Sequence, residues 1–329
     1  MKRINILAGL IILILFSSCE KDLLFSNKNT ESRITVNSFI TPDSILTARI
    51  TESKFFLASG EGFNLIENAE VKVYINNVYK ENMVYSSDGN YRASFAPKTG
   101  ENIRLEISVP GLESVNCESK IEDQAVTLSL DTTISSSEVI PILNGNYDND
   151  GTYNVDTVGY SYNCIYNYTL RFRDPSAEQN YYRLVVKTIT EYDYGFTNIS
   201  YDFDFTDIVS GNKTNSDADL FSENNTTNTY HIFSDELFNG KEYALKFRSY
   251  DYIAEYLPEY YHVNENHITK KSQYITLQTI SKSYYLFLKS KDMSGSENPF
   301  AEPVQIHSNV EGGCGILGSY NCKTYSLEL

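Results

Sequence analysis

From Ser32 onward, short runs of alternating apolar and polar residues are separated by clusters of turn formers. Arg33–Ile40 alternates through Ile34 and Val36, Pro42-Asp43 turns, and Ser44–Glu52 alternates again. Glu70–Ile75 puts Val71, Val73 and Ile75 on one face at period two, the mark of a half-buried strand. Ser87-Asp88-Gly89-Asn90 is a turn followed by Tyr91–Phe95, and Asn102–Val109 alternates through Ile103, Leu105 and Ile107. Short strands at this spacing predict an antiparallel β-sandwich over residues 32–125, of immunoglobulin-like or carboxypeptidase-regulatory-like kind.

Residues 126–159, rich in Ser, Asn, Asp and Gly from 131 onward, read as a linker or long surface loop. Residues 160–329 then predict a second β-rich, sandwich-like domain. Its strands are Asn167–Arg173, Tyr181–Thr190, Lys241–Tyr250 and Tyr274–Ile280, with a polar excursion over 191–229 and a short turn of helix over 233–240. After Ile280 the period changes. Ile280, Tyr284, Phe287 and Leu288 fall at helical spacing, which predicts a helix over 282–291 with Ser281 or Ser283 as N-cap. The chain therefore reads as mainly β, two sandwich-like domains with one short helix near the C-terminus.

The first residues follow a different rule. Lys2 and Arg3 precede an apolar run from Ile4 to Phe16, then Ser17, Ser18 and Cys19. This is the layout of a signal peptide over 1–18. The run is too short for a bilayer core of about 30 Å, which needs roughly 20 apolar residues. Phe16-Ser17-Ser18-Cys19 resembles the bacterial lipobox, in which Cys19 is acylated and becomes the first residue of the mature chain. Cys19-Glu20-Lys21-Asp22 resembles the short acidic export signal of Bacteroidota surface lipoproteins, with Glu20, Lys21 and Asp22 following the anchor. Residues 19–31 then form a lipidated, flexible tether, and the membrane is met through lipid.

Composition narrows what the body can bind. Loss of residues 1–18 leaves 25 basic residues against 43 acidic ones, a net charge of −18. With no basic run, nucleic acid is excluded as a partner. The 27 tyrosines and absent tryptophan favour strands, and exposed tyrosines also suit a binding face. Beyond Cys19 stand Cys117, Cys164, Cys314 and Cys322. An exported chain permits disulfides; a local Cys314–Cys322 bridge, leaving Cys117 with Cys164, is one of three possible pairings.

Several segments together resemble one family. They are Ile66-Glu67-Asn68-Ala69-Glu70-Val71, Ser87 to Tyr91, Phe233 to Lys241, Tyr284-Tyr285, Asn298 to Pro303, and Ser308 to Gly318. In order, they look like the Bacteroidota lipoproteins called domain of unknown function 4249. The resemblance implies an accessory lipoprotein encoded beside a TonB-dependent outer-membrane receptor, with no catalytic residue to carry over. Cys314 and Cys322 depart from the family, which more often has an apolar residue in this tail.

Other motifs fall away on inspection. Gly313-Cys314-Gly315-Ile316-Leu317-Gly318 matches G-x-G-x-x-G as text, but only 11 residues follow Gly318, too few for a dinucleotide fold. Those glycines serve positive φ or close backbone approach. His262 and His267 have no zinc spacing, and His231 and His307 stand apart. Asn146, Asp148, Asp150 and Gly151 match the start of a calcium loop, but Thr157 stands where a bidentate Glu is required. Asp43-Ser44-Ile45, Asp131-Thr132-Thr133 and Asp156-Thr157-Val158 resemble a short glycosylation triplet of Bacteroidota. No metal, cofactor or catalytic residue is expected.

The expected function is thus a non-enzymatic outer-membrane lipoprotein, exposed on the cell surface, that binds or assists in TonB-dependent nutrient uptake, its ligand unspecified. The alternative is a surface adhesion or structural lipoprotein; an enzyme ranks below both. Replacing the anchor tests the first step: Cys19→Ala is expected to abolish palmitate labelling and move the protein from the detergent phase to the aqueous phase on phase separation. Undiminished labelling would refute acylation at this position.

Overall fold

The computed structural model describes residues 32–54, 62–136, 138–175, 178–211, 228–258, 268–294 and 304–329. The signal peptide, Cys19 and its tether, His262, His267 and the 298–303 segment lie outside the described residues.

The fold is mainly β, with two sandwich-like bodies and a helix near the C-terminus. The first body begins with Ile34–Ile40 (β1), Thr47–Glu52 (β2), Glu70–Ile75 (β3) and Val78–Asn82 (β4). Val84–Tyr85 (β5), Asn90–Arg92 (β6), Asn102–Ser108 (β7) and Val115–Lys120 (β8) follow. The second contains Val126–Ser136 (β9), Ile140–Tyr147 (β10), Tyr153–Arg173 (β11), Tyr181–Tyr192 (β12) and Thr197–Ser200 (β13). Ile232–Ser234 (β14), Glu242–Tyr256 (β15), Ile268–Ile280 (β16) and the helix Lys282–Ser294 (α1) come next. The chain closes with Val310–Glu311 (β17) and Cys314–Glu328 (β18).

One nine-stranded sheet runs through both bodies in the order β13-β12-β16-β18-β1-β2-β6-β5, with β14 also on β12. A five-stranded sheet, β17-β8-β7-β3-β4, covers its N-terminal half, and a four-stranded sheet of β9, β10, β11 and β15 covers the other. Inward residues at period two fill the first core: Ile34, Val36 and Ile50 from one sheet meet Val71, Val73, Ile103, Leu105 and Ile107 from the other. Buried Tyr91 donates its hydroxyl to the Ile66 carbonyl (3.0 Å) and accepts from the Ala69 amide (2.9 Å), tying the β2–β3 connection to the core.

β18 joins the two bodies. Its first half pairs parallel with β1, from Thr35 opposite Cys314 to Ile40 opposite Ser319. Its second half pairs antiparallel with β16, from Tyr320 opposite Ile280 to Glu328 opposite Ser272. The glycines of the tail make this possible. A Cβ at Gly313 would lie 2.5 Å from the Ile34 carbonyl oxygen, and one at Gly315 only 2.0 Å from that of Val36, where φ is +103°. A Cβ at Gly318 would lie 3.0 Å from the Tyr284 ring of α1, so its absence admits that ring. The glycine tail is therefore a backbone-packing device.

Polar contacts lock the junction. Asn309 donates to the Glu118 and Leu317 carbonyls and accepts from the Leu317 amide, all at 2.9 Å. Ser119 donates to Ser319 (3.0 Å), and Asn321 donates to Thr99 (3.0 Å) and to the Glu122 carbonyl (3.2 Å). Ser281 caps α1 by accepting from the Tyr284 amide at 3.4 Å. From there α1 packs on both bodies, with Tyr284 4.9 Å from Phe39 of β1 and Tyr285 4.6 Å from Tyr181 of β12.

Two expectations need correction. Residues 126–159 are not a linker: β9 and β10 lie along one side of β11, with only Ser137–Val139 between them. Both strands are largely exposed, so their Ser, Asn and Thr side chains meet solvent while the backbone needs only a partner. Residues 233–240 also form no helix. They leave β14 as successive turns, Phe238 N–H to Asp235 O (2.7 Å) and Lys241 N–H to Phe238 O (2.8 Å), because the Asp174 carboxylate captures the Gly240 amide at 2.7 Å.

Gly315→Ala is expected to destabilise the fold by about 3 kcal/mol or more, since it adds a clash to an already left-handed residue. Gly100→Ala, where a Cβ meets nothing within 4 Å, should lose only about 1 kcal/mol. Urea unfolding of both variants checks this; equal losses would contradict the close β1–β18 approach.

Candidate functional site

The core of the second body changes character along its length. On β12 the inward positions run Leu184, Val186, then Thr188 and Thr190; on β16 they run Leu277, Ile275, then Gln273 and Lys271. On β15 the sequence is Leu245, Phe247, then Ser249 and Asp251, set against Leu170, Tyr168, Tyr166 and Cys164 of β11. β12, β15 and β16 switch from apolar to polar at the same level, facing Tyr166 and Cys164 of β11. There the sheets enclose a cleft of about 360 Å³ that opens at the end far from the first body.

Gln273, 1% exposed, organises the floor. Its carbonyl accepts the Tyr168 hydroxyl, while its amide donates to Thr188 (3.1 Å) and Ser249 (3.2 Å). Burial pushes the Tyr168 phenol up to about 12, so it stays a donor. Lys271 forms an ion pair with Asp251 across the sheets, the side chains 18% and 10% exposed. The pair cancels its own charge inside the cleft.

The wall formed by β12 and β13 is a neutral polar panel, with Thr188 opposite Ser200 and Thr190 opposite Asn198. Tyr166 and Tyr192 also line the cleft. The exposed Asp202 also lines the cleft, and beside it Asp204 accepts from Tyr250 (2.8 Å) and Arg248 (2.9 Å); the Tyr250 hydroxyl, then Arg248, hold the Asp204 carboxyl below the usual range. Among the described residues, the lining holds no histidine or cysteine. This arrangement offers hydrogen bonds and ring faces.

A second cleft, of about 400 Å³, lies between α1 and the 3-10 turn Ile208–Ser210. Leu237 and Met293 make it more apolar, and its polar contacts include Asn228 donating to the Ser210 carbonyl (2.9 Å) and Asp292 accepting the Thr229 amide (3.1 Å). Elsewhere, fully buried Asp235 accepts the Asn180 amide at 2.8 Å, and burial raises its carboxyl. With Asp174, which also accepts the Tyr182 hydroxyl, it fastens the 233–241 turns to β12.

The cysteines do not pair as expected: all four described thiols are free. Cys314 and Cys322 lie eight residues apart on the single strand β18, a separation of about 26 Å at ~3.3 Å per residue; a disulfide needs Cα atoms within about 7 Å. Cys117 is buried in the first core, where burial pushes its thiol up to about 12, and Cys164 is buried in the second. Asn146, Asp148 and Asp150 lie at the β10–β11 hairpin end. There Asp150 accepts the Thr152 amide (3.0 Å) and Asp148 accepts from Asn154 (2.5 Å). Among the described residues no group of three His, Cys, Asp or Glu is placed to hold a metal. His231 packs 4.1 Å from Phe203, and burial lowers its pKa as it does that of His307.

Sequence reasoning identified the strands of the cleft but missed the cleft itself. The signal was present as the shared turn from apolar to polar inward positions near the ends of β12, β15 and β16.

The molecule is thus a two-sandwich β protein whose halves share one strand. Residues 21–326 match the family described as Domain of unknown function (DUF4249), and the chain belongs to that family. No curated protein matches it. Among solved structures, a Corynebacterium diphtheriae protein provisionally described as membrane anchored aligns at 7% identity. The alignment covers 78% of this chain and 56% of that one with a TM-score of 0.20, too low to carry an argument.

Lys271→Met should cost about 3–5 kcal/mol, because it strands the Asp251 carboxylate in the cleft. Adding Asp251→Asn should recover most of that loss. Chemical denaturation of the single and double variants decides it, and an unchanged single variant would mean that the pair is fully solvated.

Proposed function

We propose that this protein is a non-enzymatic, lipid-anchored binding lipoprotein of the Bacteroidota outer membrane, serving as an accessory to TonB-dependent nutrient uptake. The observation that carries the reading is the position and make-up of the distal cleft. Its buried charged and amide groups are engaged with one another, Asp251 with Lys271 and Gln273 with Tyr168, Thr188 and Ser249, while Asn198 and the exposed Asp202 complete the lining. Such a site, with its buried groups already fixed by partners, is prepared to hold a ligand.

Position supports the same reading. The chain enters the first body at Ile34, next to the Thr35–Cys314 pair at the start of β18, whereas the cleft sits by the far end of β18, near Ser272 and Glu328. The 15 residues of β18 extend about 46 Å at ~3.3 Å per residue. A lipid on Cys19 would therefore hold the first body toward the membrane and the cleft away from it. Surface exposure follows the acidic residues after Cys19, and the partner follows the family resemblance.

Affinity purification of the tagged lipoprotein from its native membrane, with the bound proteins identified, tests the proposal. A stoichiometric TonB-dependent receptor is the expected companion. If no barrel protein follows under several mild detergents, the accessory role fails and surface adhesion takes its place.

A further inference from the structure

We infer that the distal cleft binds an uncharged oligosaccharide; the inference rests on the binding role proposed above and names its ligand class. The charge pattern comes first. The cleft's cation and its facing carboxylate, Lys271 and Asp251, are joined to each other, so an anionic ligand group would enter without a free counter-charge, and the second carboxylate of the lining, Asp202, is exposed to solvent. The chain's net charge of −16 further disfavours phosphate, sulfate or uronate groups. A ligand that forms many hydrogen bonds and carries no charge fits what remains.

The panel on β12 and β13 supplies those bonds. Thr188 with Ser200, and Thr190 with Asn198, form two adjacent cross-strand pairs, three hydroxyls and one amide. Directly opposed strand residues stand about 4.5–5.5 Å apart, so the four groups make a small grid of mixed donors and acceptors. A sugar ring carries neighbouring hydroxyls that each donate and accept, and its C–H faces pack on aromatic rings. Tyr166 and Tyr192 supply such rings at the cleft.

The site also extends. The register shift between Ile142 and Leu143 makes Tyr153 and Val155 share the inward face of Tyr160, Tyr162 and Tyr166 on β11. Tyr153 and Tyr160 are exposed, and Tyr153 lies 4.9 Å from exposed Tyr147. A line of tyrosines thus leads from the cleft onto the projecting β10–β11 arm. A monosaccharide would use the cleft alone; an oligosaccharide also uses this line.

The test is an array of neutral, sulfated and uronate-containing oligosaccharides together with cationic peptides, probed with the full mature lipoprotein in detergent. Retained glycans are then titrated by tyrosine fluorescence, which no tryptophan obscures. Neutral oligosaccharides are expected to bind. Tyr192→Ala and Thr190→Val should each weaken binding about tenfold, near 1.4 kcal/mol, at unchanged thermal stability, whereas Tyr79→Ala on the first body should not. Retention of only acidic glycans or only peptides overturns the inference, as does a neutral glycan indifferent to Tyr192→Ala and Thr190→Val. A receptor that co-purifies with a protein blind to neutral glycans removes this ligand class and leaves the accessory role. Glycan binding without a receptor does the reverse.

Discussion

Everything in this molecule hangs on the close passage of β18 past β1. A parallel pair between the first and last strands can form only if the tail's backbone comes nearer to Ile34 and Val36 than any side chain allows, and Gly313 and Gly315 provide that approach. Once there, the same strand continues into the second body against β16. The first sandwich is therefore incomplete until the end of the chain arrives, a pairing of high sequence separation. The two bodies are coupled through a continuous ladder of backbone hydrogen bonds, which leaves little room for a hinge.

The junction's side chains reinforce that coupling. Ser119, Ser319, Asn309 and Asn321 satisfy backbone or hydroxyl partners on both sides, as groups withdrawn from water must be. Tyr284 and Tyr285 of α1 reach Phe39 and Tyr181, one ring into each body. The helix serves as a clamp over the seam, and its burial of Tyr284 against Gly318 explains why the glycine-rich tail and the helix need one another.

At the far end the physics is inverted. A sandwich core gains stability by excluding polar groups, yet here Gln273, Ser249 and Asp251 replace aliphatic residues at inward positions. Each such group must find a partner, and the network around Gln273 and the Asp251–Lys271 pair meets that demand. A buried ion pair adds little net stability compared with apolar packing. Its presence marks an end of the core arranged for something other than stability, and a polar opening held by rigid strands is what ligand capture requires.

The strands and the helix were legible in sequence wherever local periodicity is strong. Glu70–Ile75 is β3 as read, and the helix expected over 282–291 spans Lys282–Ser294 with Ser281 as its cap. The glycines of the tail were legible as sites of close approach, and the segment pattern carried the family. What local pattern does not contain is pairing. β9 and β10 are largely exposed, and pairing with β11 holds them as strands; the turns after β14 were shaped by distant Asp174. The extended course of Cys314–Cys322 along β1 and then β16 likewise excludes a bridge that spacing alone had allowed. The cleft belongs to this second kind. Each strand shows its own change from apolar to polar inward positions, but registers set by backbone pairing over tens of residues bring those changes to one level, and register is a property of the assembled sheets.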